Sequence, residues 1–232
     1  MSFLTAEWRH LAILNWEVDP ALLATRAPRG TVVDSWRGRT FVSLVGFLFL
    51  RTRVLGAPVP FHMNFEEVNL RFYVRREDAR GPRRGVVFVK EIVPRWAIAW
   101  VARTLYGENY IALPMRHAVE ADELEYGWRL GDRWGRLRVR TEGPSFLAPE
   151  GLEEEFVTEH YWGYASAGLG SVEYEVRHPR WLVRRVAESS VEGDLVPLYG
   201  PELASAINGP PSSALVAAGS PITVEPGHRL RA

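Results

Sequence analysis

The sequence predicts an α+β domain that is mostly antiparallel β, a curved sheet or closed β-barrel with a few flanking helices. Three observations predict it. Short segments of period-two alternation recur along the chain, separated by Gly, Pro and Asp turn residues. Only a few stretches read as helices. No repeat, low-complexity block or interdomain linker divides the 232 residues, so residues 1–232 read as one domain, with 200–232 as a Pro-rich extension that holds five of the sixteen prolines.

Asp19-Pro20 followed by ALLATRAP reads as a short helix, with Asp19 as N-cap and Pro28 beyond its end. Thr31 to Ser35 and Arg39 to Thr52 read as strands around the turn Trp36-Arg37-Gly38. From Phe65 the alternation is strict. Val68, Leu70, Phe72 and Val74 share one face of a strand, and Glu67, Asn69, Arg71 and Tyr73 share the other.

Gly85 to Val93 is apolar on both faces, as in a strand covered on both sides. Alternation sets Val86, Phe88, Lys90 and Ile92 against Val87, Val89, Glu91 and Val93. Lys90 and Glu91 therefore point in opposite directions, and one of them faces an interior where a charge must be paired or neutralised. Pro94 then opens a helix that Gly107 closes, with Trp96, Ala99, Trp100 and Arg103 along one stripe.

Ile111 to Ala121, Glu123 to Leu130 and Gly135 to Thr141 read as a meander, the last two joined across Gly131-Asp132-Arg133-Trp134. After Gly143-Pro144 and Pro149, Gly151 to Tyr161 favours a helix. Strands are expected at Gly170 to Arg177 and again through Trp181 to Val186. A short helix at Glu202 to Ile207 and an edge strand at Pro221 to Glu225 close the chain.

Composition narrows the chemistry. There is no cysteine, which excludes disulfides and thiolate catalysis. Acidic and basic residues number 28 each, so no net charge draws the chain to nucleic acid or an anionic membrane. The N-terminus lacks the basic start and apolar core of a signal peptide, and Phe41 to Leu50 is about half the ~20 residues of a membrane helix. A cytoplasmic protein is expected, and homo-oligomerisation stays open. The six histidines show no metal-ligand spacing, no cofactor motif is present, and His178-Pro179 reads only as a strand end.

FEEVNLRFYV, RRGVVFV, ARTLYG, EHYWGY and HPRW, with the opening LTAEWRHLAILNWEVDPALL, resemble the YqjF-like family, a group of unknown function within the acetoacetate decarboxylase-like superfamily. The resemblance runs through about Trp181. It implies a strongly curved antiparallel sheet closing into a barrel. Glu67 falls at the position of the superfamily's strand glutamate, and Arg103-Thr104-Leu105-Tyr106-Gly107 resembles its Arg-x-Leu-Tyr-Gly segment. The Phe-Pro-Lys segment carrying the Schiff-base lysine departs: Glu108-Asn109-Tyr110 stands there, with Tyr110 in the lysine's place.

The expected function is binding of a small carboxylate or carbonyl metabolite in a barrel cavity. Arg71 or Arg103 would anchor the carboxylate, since an arginine fork can bind two oxygens. Glu67 and Tyr110 would handle protons, with Asn69 and Glu108 beside them. Lys90, the only lysine, gives an alternative: a lyase of the decarboxylase, aldolase or dehydratase type working through an imine. A domain that serves structure or protein interaction, without a ligand, is the third reading.

Overall fold

A computed structural model describes residues 2–78, 81–96, 107–168 and 170–230. The elements in chain order are β1 (Leu4–Val18), α1 (Pro20–Ala24), β2 (Val32–Val33), β3 (Thr40–Val54), β4 (Ala57–Pro58), β5 (Phe65–Arg76), β6 (Arg83–Val93), β7 (Tyr110–Ala112), β8 (Met115–Val119), β9 (Glu123–Leu130), β10 (Arg133–Leu147), α2 (Glu153–Thr158), β11 (Trp162–Ala167), β12 (Gly170–Arg177), β13 (Leu182–Glu192), α3 (Val196–Ala206), β14 (Ser213–Val224) and β15 (His228–Leu230).

All the strands belong to one 15-stranded sheet, antiparallel except where β7 and β11 each run parallel to β6. The sheet curls on itself. Hydrogen bonding passes from β12 through β11, β6, β5, β3, β1 and β14, and returns to β12 through the pairs Val176↔Val224 and Arg177↔Thr223. Closure removes the open edges that a curved sheet would otherwise expose. From β14 a second arm branches through β13, β10 and β9 to β8.

This arrangement gives the ring strands two buried faces, which is why β3 is almost unbroken in its hydrophobicity. On the outer side Val42, Leu44, Val68, Leu70 and Phe72 pack with Tyr126, Trp128 and Leu137 of the arm and with Leu198 and Leu203 of α3. On the inner side Leu11, Ile13, Val45, Phe47, Phe65 and Trp181 form a separate cluster. Fully burying one such side chain contributes ~1.5–3 kcal/mol, so the two clusters supply the favourable side of folding.

Local signals explain the short elements. Asp19 caps α1, its Oδ1 accepting the Ala21 amide at 2.8 Å. Arg37 and Gly38, both at positive φ, turn the chain between Trp36 and Arg39, as the sequence leads one to expect.

Elsewhere the structure corrects the sequence reading. β1 and β11 were not anticipated, because neither alternates cleanly: β1 is buried on both faces over Leu11–Trp16. β10 continues past Gly143-Pro144 to Leu147, absorbing the break as a ladder irregularity between Glu142 and Phe146. Pro221 to Glu225 is no edge. Most of it is the end of β14, which pairs with β1 on one side and with β13 and β12 on the other. The C-terminal helix starts earlier than expected, at Val196, and kinks at Gly200 before Pro201. The helix expected from Pro94 falls largely on residues 97–106, outside the described residues, and Arg103 with it; Gly107 has the positive φ, 70°, of the expected terminator. Among the described residues no helix is long and apolar enough to cross a membrane.

Candidate functional site

The inside of the ring holds a cavity of about 210 Å³. β5 supplies its polar floor. Strict alternation turns Glu67, Asn69 and Arg71 inward while Val68, Leu70 and Phe72 join the outer core.

β6 does not keep its alternation. The β5–β6 ladder steps from Leu70↔Lys90 to Arg71↔Phe88, leaving Val89 as the extra residue of a bulge. Below the bulge Val86 and Phe88 face inward; above it the parity changes and Glu91, opposite Asn69, faces inward. Lys90 is left on the side of Leu70, outside the residues that line the cavity, with no ion pair or hydrogen bond among the described residues. Strict alternation had put Phe88 and Lys90 together; the bulge separates them.

Two further elements complete this pole. β7 runs parallel to β6 with Tyr110 beside Glu91, and brings Glu108 just ahead of it. β12 contributes Tyr174, whose hydroxyl donates to Glu108 Oε1 at 2.7 Å. Glu67 accepts from Asn69 Nδ2 at 2.8 Å and from the Tyr110 hydroxyl at 3.1 Å. Glu91 Oε2 is buried and has no hydrogen-bond partner, and neither has Asn69 Oδ1.

Burial is the main force on these carboxyls. It pushes Glu67 up to about 7 against the bonds from Asn69 and Tyr110, and Glu108 up to about 8 against the bond from Tyr174. Glu91 goes well above the carboxylate range through burial, with Glu108 and Glu67 repelling a further charge. Both tyrosines are held neutral by burial and by these acids. At neutral pH the cluster therefore carries protons that it can donate. As a stability device it is poor, since buried ionisable groups are commonly replaced by apolar side chains without loss.

The opposite pole is basic. The Arg71 guanidinium donates from Nη2 to the Val157 carbonyl at 3.1 Å, and its Nε has no partner. His160, 7% exposed, lines the same space with both ring nitrogens unpartnered. Its Nε2 is 3.9 Å from Asp34 Oδ2, beyond hydrogen-bond distance. Burial lowers its pKa to about 4, so the ring is neutral and offers one donor and one acceptor. Between the poles the walls are aromatic. Trp8 meets Phe47 and Phe49 edge-on, Phe49 stacks on Phe65 at 4.7 Å, and His178 stacks on Trp181 at 4.1 Å.

Of the residues singled out in the sequence, Glu67, Asn69, Arg71, Glu108 and Tyr110 line this cavity, and Lys90 does not. Sequence reasoning missed Tyr174, Thr158, His160 and His178. Tyr174 was accessible in principle, as an alternating residue in a correctly placed strand. Thr158 ends a short helix and His160 follows it, and no local pattern sets the exit angle. Among the described residues no group of His, Asp and Glu is arranged to hold a metal ion.

The sheet closed into a ring has the acetoacetate decarboxylase-like fold, as comparison with solved structures shows. Acetoacetate decarboxylase from Legionella pneumophila superposes with a TM-score of 0.70 at 14% identity, covering 99% of this chain and 87% of that one. An acetoacetate decarboxylase-like enzyme from Sphingomonas wittichii RW1 gives 0.69 at 13% identity, over 100% and 94% of the two chains. The enduracididine biosynthesis enzyme MppR complexed with pyruvate gives 0.68 at 12% identity, over 100% and 91%.

Within that fold, this chain belongs to the DUF2071 family of uncharacterized conserved proteins, which it matches over residues 5–221. The protein YqjF of Bacillus subtilis (strain 168) is 24% identical over 189 residues, 79% of this chain and 76% of that protein.

Proposed function

We propose that this protein binds a compact carboxylate- or carbonyl-bearing metabolite inside the ring, through Arg71 at one end and the Glu67–Tyr110 pair near the other, without a covalent lysine. The observation that carries this reading is Arg71, a buried guanidinium among the residues that line the cavity, whose Nε has no partner within the protein. An orphaned donor of this kind costs about 1–3 kcal/mol, which a ligand oxygen would recover. The volume of about 210 Å³ lies below the ~300–1,000 Å³ of drug-sized pockets and suits a small molecule.

Glu67 would hold or move the proton. It sits in the cavity with a pKa near neutrality and two hydrogen bonds orienting it, as a general acid–base group requires. The pyruvate complex of MppR, a structural neighbour, is in keeping with a carbonyl acid as ligand class. Imine chemistry at Lys90 is disfavoured, since that amine lies on the other face of β6.

The test is a thermal-shift screen of short keto acids and carboxylic acids at millimolar concentration. Ligand at about 100 times its Kd stabilises by about 2.7 kcal/mol, a shift of several degrees. The shift is expected to vanish in Arg71→Met and to weaken in Glu67→Gln. A panel that moves the Tm of neither wild type nor variants removes the reading.

A further inference from the structure

The cavity is electrically lopsided in a way that a simple keto acid does not use. Glu67, Glu91 and Glu108 converge at one end, and Arg71 and His160 stand at the other. Hydrogen bonds within the protein consume only part of this. Glu91 Oε2 and Asn69 Oδ1 are buried acceptors without partners, each on a residue 2% exposed, and they belong to adjacent strands directly opposite each other. Arg71 Nε is a buried donor without a partner, on a residue 8% exposed. Two orphaned acceptors at one end and an orphaned cationic donor at the other are complementary to a molecule with a donor group and an acceptor group.

Building on the proposed function, we infer that the ligand is dipolar, with a carboxylate directed to Arg71 and a protonated amine or amidine received by Glu91 and Asn69. Asn69 and Arg71 are two residues apart on β5, about 7 Å at ~3.3 Å per residue, which fits a short ω-amino acid whose charges lie a few bonds apart. The aromatic walls accept its methylene chain. A cation at the acid pole also favours the ionised form of these carboxyls, which a carbonyl oxygen does not.

The charge of the ligand can be read through protons. The groups facing the acid pole among the described residues are Glu67, Asn69 and Arg71 from β5, Glu91 from β6, Glu108 and Tyr110 at β7, and Tyr174 from β12; Thr158 at the end of α2, His160 just beyond it, and His62 and His178 face the same cavity. A cation entering near these carboxyls favours their ionisation and expels protons, whereas an anion alone favours their protonated forms and takes protons up.

Isothermal titration calorimetry of the full-length protein at pH 7.5, in buffers of different ionisation enthalpy, separates the cases. The probes are 5-aminopentanoate, 4-oxopentanoate and pentylamine. The expected result is that 5-aminopentanoate binds about tenfold tighter than either of the others, a difference of about 1.4 kcal/mol, with net proton release. Glu91→Gln is expected to erase that preference. If 4-oxopentanoate binds as tightly or more tightly, with proton uptake, the dipolar inference falls and the carboxylate–carbonyl reading stands. If none of the three binds at millimolar concentration, both fall. The proton count on wild-type protein decides the matter even where Glu91→Gln fails to fold.

Discussion

Glu91 lies directly opposite Asn69 across the β5–β6 ladder, and one residue further along the same ladder Lys90 lies opposite Leu70. A single step of strand parity thus puts a carboxyl into the cavity and the chain's only lysine against the outer side of the ring. The structural neighbours share the fold; in this chain it is Glu91 and not Lys90 that faces the cavity.

Lys90 should be dispensable at the cavity. Lys90→Met is expected to leave the affinity for any cavity ligand within about twofold, less than ~0.5 kcal/mol. Borohydride reduction in the presence of pyruvate is expected to leave Lys90 unmodified, as read by peptide mass mapping. A reduced adduct at Lys90 would show that the strand inverts or that the cavity opens to its other face.

Stability should fall as pH rises through neutrality. Glu67 and Glu108 have folded pKa values of about 7 and 8, above the 4.5 of an unfolded chain. Below 4.5 both states hold the proton. Between 4.5 and 7–8 the native state holds protons that the unfolded chain has lost, so stability declines across this window until the folded pKa values are passed. Urea denaturation from pH 5 to pH 9 should show this decline, and Glu67→Gln with Glu108→Gln should make it shallower, Glu91 supplying what remains. A stability that rises across this range would contradict the buried, protonated cluster.

Asp34 should act with the opposite sign. Burial opposes its charge, but the Arg84 guanidinium, whose Nε is 3.0 Å away, and the Ser35 amide, which donates to Oδ1 at 2.9 Å, hold its pKa down at about 2. Its contribution is complete above the unfolded value of 3.8 and lost as pH falls toward 2. Asp34→Asn is expected to cost about 1–3 kcal/mol at pH 7, discounted because Arg84 and Arg75 are partly solvated, and progressively less as pH is lowered below 3.8. Denaturant midpoints for the two proteins across acidic pH provide the check.

Gly163 should control the acid pole indirectly. It is the cross-strand partner of Tyr174, and a Cβ added there would fall on the Tyr174 ring. Gly163→Ala is expected to displace that ring, break its bond to Glu108, and cost about 1–3 kcal/mol through overpacking. Chemical denaturation reads the loss. A variant as stable as wild type, with unchanged ligand affinity, would mean that Tyr174 has room to move.

Much of this was legible in residues and much was not. The alternation Glu67, Asn69, Arg71 against Val68, Leu70, Phe72 identified the polar floor of the cavity, because β5 is regular and side-chain parity is then a local property. The same logic failed on β6, where the bulge at Val89 is a response to pairing with β5 and has no signature in GVVFVKEIV. β1 was overlooked for a related reason: buried on both faces, it lacks the alternation that marks a half-exposed strand.

What the sequence determined by itself is the mostly β class with its few helices, the absence of thiol chemistry, and the polar face of β5, all of which rest on composition and short-range periodicity. Only the tertiary structure decided that β14 closes the ring against β12, that Glu91 and not Lys90 enters the cavity, and that Tyr174 and His160 join it from distant parts of the chain. Those outcomes depend on register between strands far apart in sequence, where a shift of one residue exchanges one face for the other.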